Sequence, residues 1–100
     1  MSAVRCRVAG VRFRITIHSG FRPPEDALEV LFAKLGGFRE GVRFSKLNNE
    51  IRATVSEEGS RERDELEEIG RRQVLDVVKN VCERAPELEL DWFAVAALRR

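Results

Sequence analysis

Arginine supplies most of the side chains in this chain that could contact a ligand. Residues 1–22 hold Arg5, Arg7, Arg12, Arg14 and Arg22 and no acid, a local charge of +5. On an alternating strand Arg12 and Arg14 share one side with Thr16 and His18, and Arg43 and Arg52 of a later hairpin can join them. A basic stripe of this kind across an exposed sheet can neutralise phosphates. RNA-binding sheets also stack bases on aromatic side chains of their central strands, and here those slots hold arginine and threonine. Nucleic-acid or polyanion binding through Arg5, Arg7, Arg12, Arg14, Arg43 and Arg52 is therefore an alternative that is not favoured. The whole chain agrees: 18 bases against 17 acids leave +1, where dedicated nucleic-acid binders are far more basic.

A second candidate is the loop His18-Ser19-Gly20-Phe21-Arg22, which enters a helix N-terminus. Backbone N–H groups, the helix dipole, Gly20 and Arg22 could together cradle a small phosphate or carboxylate. No glycine-rich phosphate-loop or dinucleotide motif accompanies them. Bond-making chemistry is less well served. His18 and Ser19 are neighbours on a strand and point to opposite faces. Cys6 and Cys82, with one histidine, cannot complete a structural zinc site, and both are expected reduced and half-buried. Residues 57–68 carry seven acids and two arginines, a local charge of −5, without the spacing of a calcium loop. They read as a solvated helix start, with Glu67–Arg71 and Glu68–Arg72 as i,i+4 pairs. No catalytic residue, metal or cofactor is expected, and the protein reads as a non-enzyme.

The stretch Gly10-Val11-Arg12-Phe13-Arg14 resembles the GVxFR stretch of acylphosphatases. The resemblance implies a phosphate-cradling loop in which Arg14 binds the phosphate. It covers five residues. Ala9 stands where that family has glutamine, and Phe44 and Ser45 occupy the region of its catalytic asparagine. The alternation from Val11 to Ile17 reads as strand rather than loop.

The positioning elements follow from periodicity. Val4, Cys6 and Val8 alternate on even positions, and Val11, Phe13, Ile15 and Ile17 on odd ones. That predicts a strand over 4–18 with a bulge at Ala9-Gly10. Pro23-Pro24, then Glu25 and Asp26, predict a helix start; Gly36-Gly37 ends that helix. Val42–Leu47 and Glu50–Ser56 predict a hairpin across Asn48-Asn49, with Leu47 opposite Glu50. A second helix, with Ser60 as N-cap, runs to about Arg84 with Leu66, Ile69, Val74, Val77, Val78 and Val81 as its stripe. A last strand covers 88–98. The order β-α-β-β-α-β predicts one α+β domain over 1–100: a ferredoxin-like split βαβ sandwich, four antiparallel strands with two helices on one face.

The last strand is the anomaly. It is apolar on both parities, Leu88, Leu90, Trp92 and Ala94 on one and Phe93, Val95 and Ala97 on the other, and it belongs at a sheet edge. An uncharged apolar edge is an aggregation hazard unless it is paired or covered. Two copies could pair edge to edge, or pack Phe93, Val95 and Ala97 outward, sheet against sheet. The expected function is thus association, as a homo-oligomer or with a partner protein, anchored on Trp92, Phe93, Val95 and Ala97 and ended by Arg99-Arg100. No run of about 20 apolar residues or apolar leader is visible, so no membrane and a cytoplasmic location are expected.

Overall fold

The computed structural model describes residues 8–20, 22–58 and 62–98, and the side chains of all of these except 8, 9, 57 and 58. Arg5, Cys6, Arg7, Phe21, Ser60, Arg99 and Arg100 lie outside the described residues.

The fold is α+β: two helices and a five-stranded antiparallel sheet. The strands are β1 (Val8–Ser19), β2 (Phe38–Arg39), β3 (Val42–Leu47), β4 (Glu50–Glu58) and β5 (Leu90–Ala97), in the order β2-β3-β4-β1-β5. The helices are α1 (Pro24–Leu35) and α2 (Arg63–Glu83), and a single 3-10 turn, Pro86–Leu88, precedes β5. The expectation of four strands is corrected by β2. Two residues are too short to alternate, so periodicity could not reveal that strand.

β1 is central. Its odd residues Val11, Phe13, Ile15 and Ile17 are buried and its even residues Arg12, Arg14, Thr16 and His18 exposed. The predicted bulge at Gly10 is not there: β1 pairs with β4 in one unbroken register from Val8↔Glu58 to Ile15↔Ile51. The one irregularity lies between His18 and Ser19, on the β5 side. This also removes the loop that the acylphosphatase resemblance implied, since Gly10–Arg14 run mid-strand opposite Ser56–Arg52. The β3–β4 hairpin has the expected register, Leu47↔Glu50, and Asn48 takes φ +57 in the turn.

α1 begins on Pro24 with Glu25 and Asp26 in its first turn, and ends where Gly36, at φ +79, donates to Phe32 O at 3.1 Å. It buries Ala27, Leu28, Leu31 and Leu35. α2 is 21 residues, about 31 Å long. It buries Leu66, Val74, Val77, Val78 and Val81. It packs close to the sheet at Gly70, where a Cβ would lie 3.0 Å from the Phe13 ring. Both helices cover the face of the sheet that carries Phe13, Ile15, Val42, Phe44, Ile51 and Val55. No described helix covers the opposite face, which is open among the described residues. No described helix is long and apolar enough to cross a membrane.

Candidate functional site

The two best-placed candidates both involve β5: its edge, and the open face of the sheet it borders. Among the described residues β5 pairs with β1 alone, on one side. Direct partners in an antiparallel pair share a face. Phe13↔Ala97, Ile15↔Val95 and Ile17↔Phe93 therefore send Ala97, Val95 and Phe93 inward, toward the helices. Val95 is buried and the other two are half-buried against the core. Trp92, Ala94 and Ala96 face outward and are exposed. The outward placement expected for Phe93, Val95 and Ala97 is thus corrected. Local alternation could not decide it, because both parities are apolar; the register with β1 does.

The main chain of those same residues has the opposite disposition. Leu98 N–H donates to Arg12 O at 2.8 Å. Hydrogen-bonded pairs alternate along an antiparallel ladder. Even residues of β5 therefore bond to β1, while Phe93, Val95 and Ala97 turn N–H and C=O toward the open edge. From Trp92 to Ala97 the strand carries no ionisable side chain. Between this edge and α2 lie two hollows. One, of about 300 Å³, is lined by Cys82, Leu88, Leu90 and Phe93 among others; burial pushes the Cys82 thiol above its ordinary pKa. The other, of about 540 Å³, is lined by Asp64, Glu67, Glu68, Arg71 and Ala97. Two of its three acids are engaged in ion pairs: Arg63–Glu67 at 3.5 Å, Arg71–Glu68 at 3.6 Å and Arg72–Glu68 at 3.4 Å. Among the described residues no group of acids, histidines and cysteines could hold a metal ion.

On the open face four of the six sequence-predicted arginines, Arg12, Arg14, Arg43 and Arg52, come together, and Arg5 and Arg7 lie outside the described residues. Arg43 and Arg12 both oppose Thr54, and Arg14 opposes Arg52. Glu50 lies beside the second row, hydrogen-bonded by Arg52 Nε and 3.9 Å from Arg14 Nε. That hydrogen bond and the two positive charges hold the Glu50 carboxyl below the usual carboxylate range. Arg43 lies over the exposed Phe38 ring, 5.7 Å from its centroid. Past Thr16, His18 and Trp92 stack, with centroids 5.9 Å apart and planes 7° from parallel. The His18 ring is fixed from its other side, with Nδ1 3.0 Å from Asp91 Oδ2. Sequence reasoning missed this stack. Its signal was there in part, since His18 falls on the outer parity of β1, but only the β1–β5 register places Trp92 beside it.

The loop before α1 is packed onto the chain's own 86–91 segment. Ser19 Oγ donates to Leu88 O at 3.0 Å and accepts from Arg22 N–H at 3.0 Å. Arg22 Nε points at Glu87 O, 3.4 Å away. A Cβ on Gly20 would lie 3.1 Å from Asp91 Oδ2. Carbonyls and a carboxylate thus face the positions where an anion would bind, and Pro24 brings no N–H to the start of the helix. His18 and Ser19 are bonded to different partners, so no proton relay joins them. No protein-family model matches this chain, and neither does any curated protein or solved structure.

Proposed function

We propose that this protein is a non-enzymatic association module that pairs with a second copy of itself through β5. The observation that carries this reading is the open edge: an eight-residue strand with no charge from Trp92 to Ala97, and with the main chain of Phe93, Val95 and Ala97 turned outward. Unpaired edges of this kind template strand addition. A twofold axis at Val95 sets Val95 against Val95 of the second copy, and Phe93 against Ala97. Each copy then offers the other the same donors and acceptors, as an isologous contact requires. The two sheets become one of ten strands. The role of Phe93, Val95 and Ala97 is to lend backbone, with their side chains anchoring the strand to its own core; Trp92 borders the junction on the open face.

The ferredoxin-like split βαβ assignment belongs to the same proposal. With the two-residue β2 set aside, the remaining order β3-β4-β1-β5 supports it.

The test is the solution mass of the protein and of Ala94→Lys/Ala96→Lys. Both alanines are exposed and face away from the core, so the variant keeps its fold while placing four lysines around the axis. Light scattering should give twice 11.4 kDa for the wild type and 11.4 kDa for the variant, with the same circular dichroism. A monomeric wild type, or a variant of undiminished mass, overturns the reading. Phe93→Asp is the poorer test, because Phe93 also packs against the core.

A further inference from the structure

We infer that the open face of the sheet is a binding site for single-stranded nucleic acid, with the arginine cluster holding phosphates and the His18–Trp92 stack receiving a base. The inference is independent of the dimer, which uses main chain at the edge rather than side chains on the face.

Charge comes first. Arg12, Arg14, Arg43 and Arg52 occupy the outer side of the three middle strands, and Glu50 is the one described carboxylate among them. Two of the four guanidiniums are oriented before any ligand arrives, Arg52 by its hydrogen bond to Glu50 and Arg43 by the Phe38 ring, while Arg14 Nε lies 3.9 Å from the same carboxylate. Arg12 has no ion-pair partner among the described residues. A cation fixed against a flat surface loses little side-chain freedom on binding, which favours capture of an anionic chain.

Shape and stacking then select the kind of polyanion. Arg12, Arg14 and His18 follow one another along one side of β1, a span of about 20 Å at strand rise. At its far end two aromatic rings lie parallel, each more than half exposed. A ring surface of this sort binds the face of an unpaired base, and any base has one. In a duplex that face is covered. The open side is also a sheet surface, from which no described helix or ribbon projects to enter a major groove. An acidic peptide would satisfy the arginines and leave the rings unused. The two features together therefore favour a single strand.

The probe is a fluorescein-labelled oligothymidine of about 12 nucleotides. Its duplex with oligoadenosine and an oligoglutamate peptide serve as comparisons. Trp92 is the only tryptophan, so quenching of its emission reports stacking directly. At about 50 mM salt, anisotropy should show a Kd on the order of micromolar for the single strand, weakening steeply as salt rises. Arg12→Gln/Arg14→Gln should lower the log–log salt slope by about 1.4, since each phosphate neutralised on a single strand contributes about 0.7. Trp92→Ala should weaken binding about 5- to 150-fold, and Trp92→Phe should restore most of that loss. Absence of binding at low salt overturns the inference. So does equal affinity for the duplex or the oligoglutamate, and so does Trp92→Ala with unchanged affinity.

Discussion

The sheet has two edges, and they are built in opposite ways. The β2 edge is two residues long and flanked by Gly36, Gly37, Glu40 and Gly41, all at positive φ, so the chain turns in and out of the ladder at once. It is charged, with Arg39 and Glu40, and it is tied to both helices. Arg39 Nη2 and Nε donate to Lys34 O and Leu35 O at 3.1 and 3.4 Å, capping the last turn of α1, and Gln73 of α2 donates to Glu40 O at 3.0 Å. The β5 edge is eight residues long, regular and uncharged beyond Asp91, and among the described residues its side-chain hydrogen bonds lie only at its start, around Leu88 and Asp91. Bending, charge and tethering are the standard protections of an exposed edge. One edge has all three and the other has none along most of its length. The difference is what supports the proposed association at β5.

If that contrast is right, substitutions at the two edges have opposite signatures. The largest loss of stability should come from Gly41→Val. Gly41 is at φ +83, and a Cβ there would lie 2.9 Å from Gln73 Nε2. A β-branched residue should cost about 2–3 kcal/mol in urea unfolding, with the oligomeric mass unchanged. Arg39→Ala should cost about 1–1.5 kcal/mol, by removing the donors to the α1 C-terminus, again with mass unchanged. Ala96→Lys should reverse the pattern, altering monomer stability by no more than about 0.5 kcal/mol while weakening the dimer. A β2-edge variant that lost the dimer, or Ala96→Lys that lost the fold, would break the comparison.

The smallest effect concerns pH. Lys34 and Glu87, 2.9 Å apart, tie the turn before β5 to α1. The Lys34 hydrogen bond holds the Glu87 carboxyl below its ordinary value near 4.5. A carboxyl lowered on folding contributes stability above that ordinary value and loses it as pH falls through its folded value. The stability gap between wild type and Lys34→Met should therefore be present at about pH 6 and shrink as pH falls below the ordinary carboxyl value. A gap that persists in acid would show that Lys34 acts through its stem and not its charge.

How much of this was legible in the sequence depended on whether the signal was local. The turn and register of the β3–β4 hairpin were readable, because Asn48-Asn49 and two short alternating runs fix one register, although β4 runs two residues beyond the expected Ser56. The inner side of β1 was readable from Val11, Phe13, Ile15 and Ile17, and α1 from its prolines, acids and terminal glycines. Three things were not. β2 has too few residues to show a period. The apparent phase change at Gly10 suggested a bulge, yet β4 runs past that point in unbroken register. The two faces of β5 look alike as a string of apolar residues, and only pairing with β1 separates Phe93 from Trp92. The arginine cluster was half legible: its members were named, but the Glu50 clamp and the aromatic stack depend on contacts between strands.

The position of β1 also has a consequence for how the chain folds. Its neighbour on one side belongs to a local hairpin, but its neighbour on the other is β5, so Ile17 meets Phe93 only after both helices and the hairpin between them have been made. Closing so long a loop is slow compared with forming the hairpin. Until β5 arrives, β1 itself is the exposed edge of a partly built sheet. At high concentration during refolding, the β5 of another chain competes for that place, and strand exchange between copies becomes a kinetic rival to correct closure.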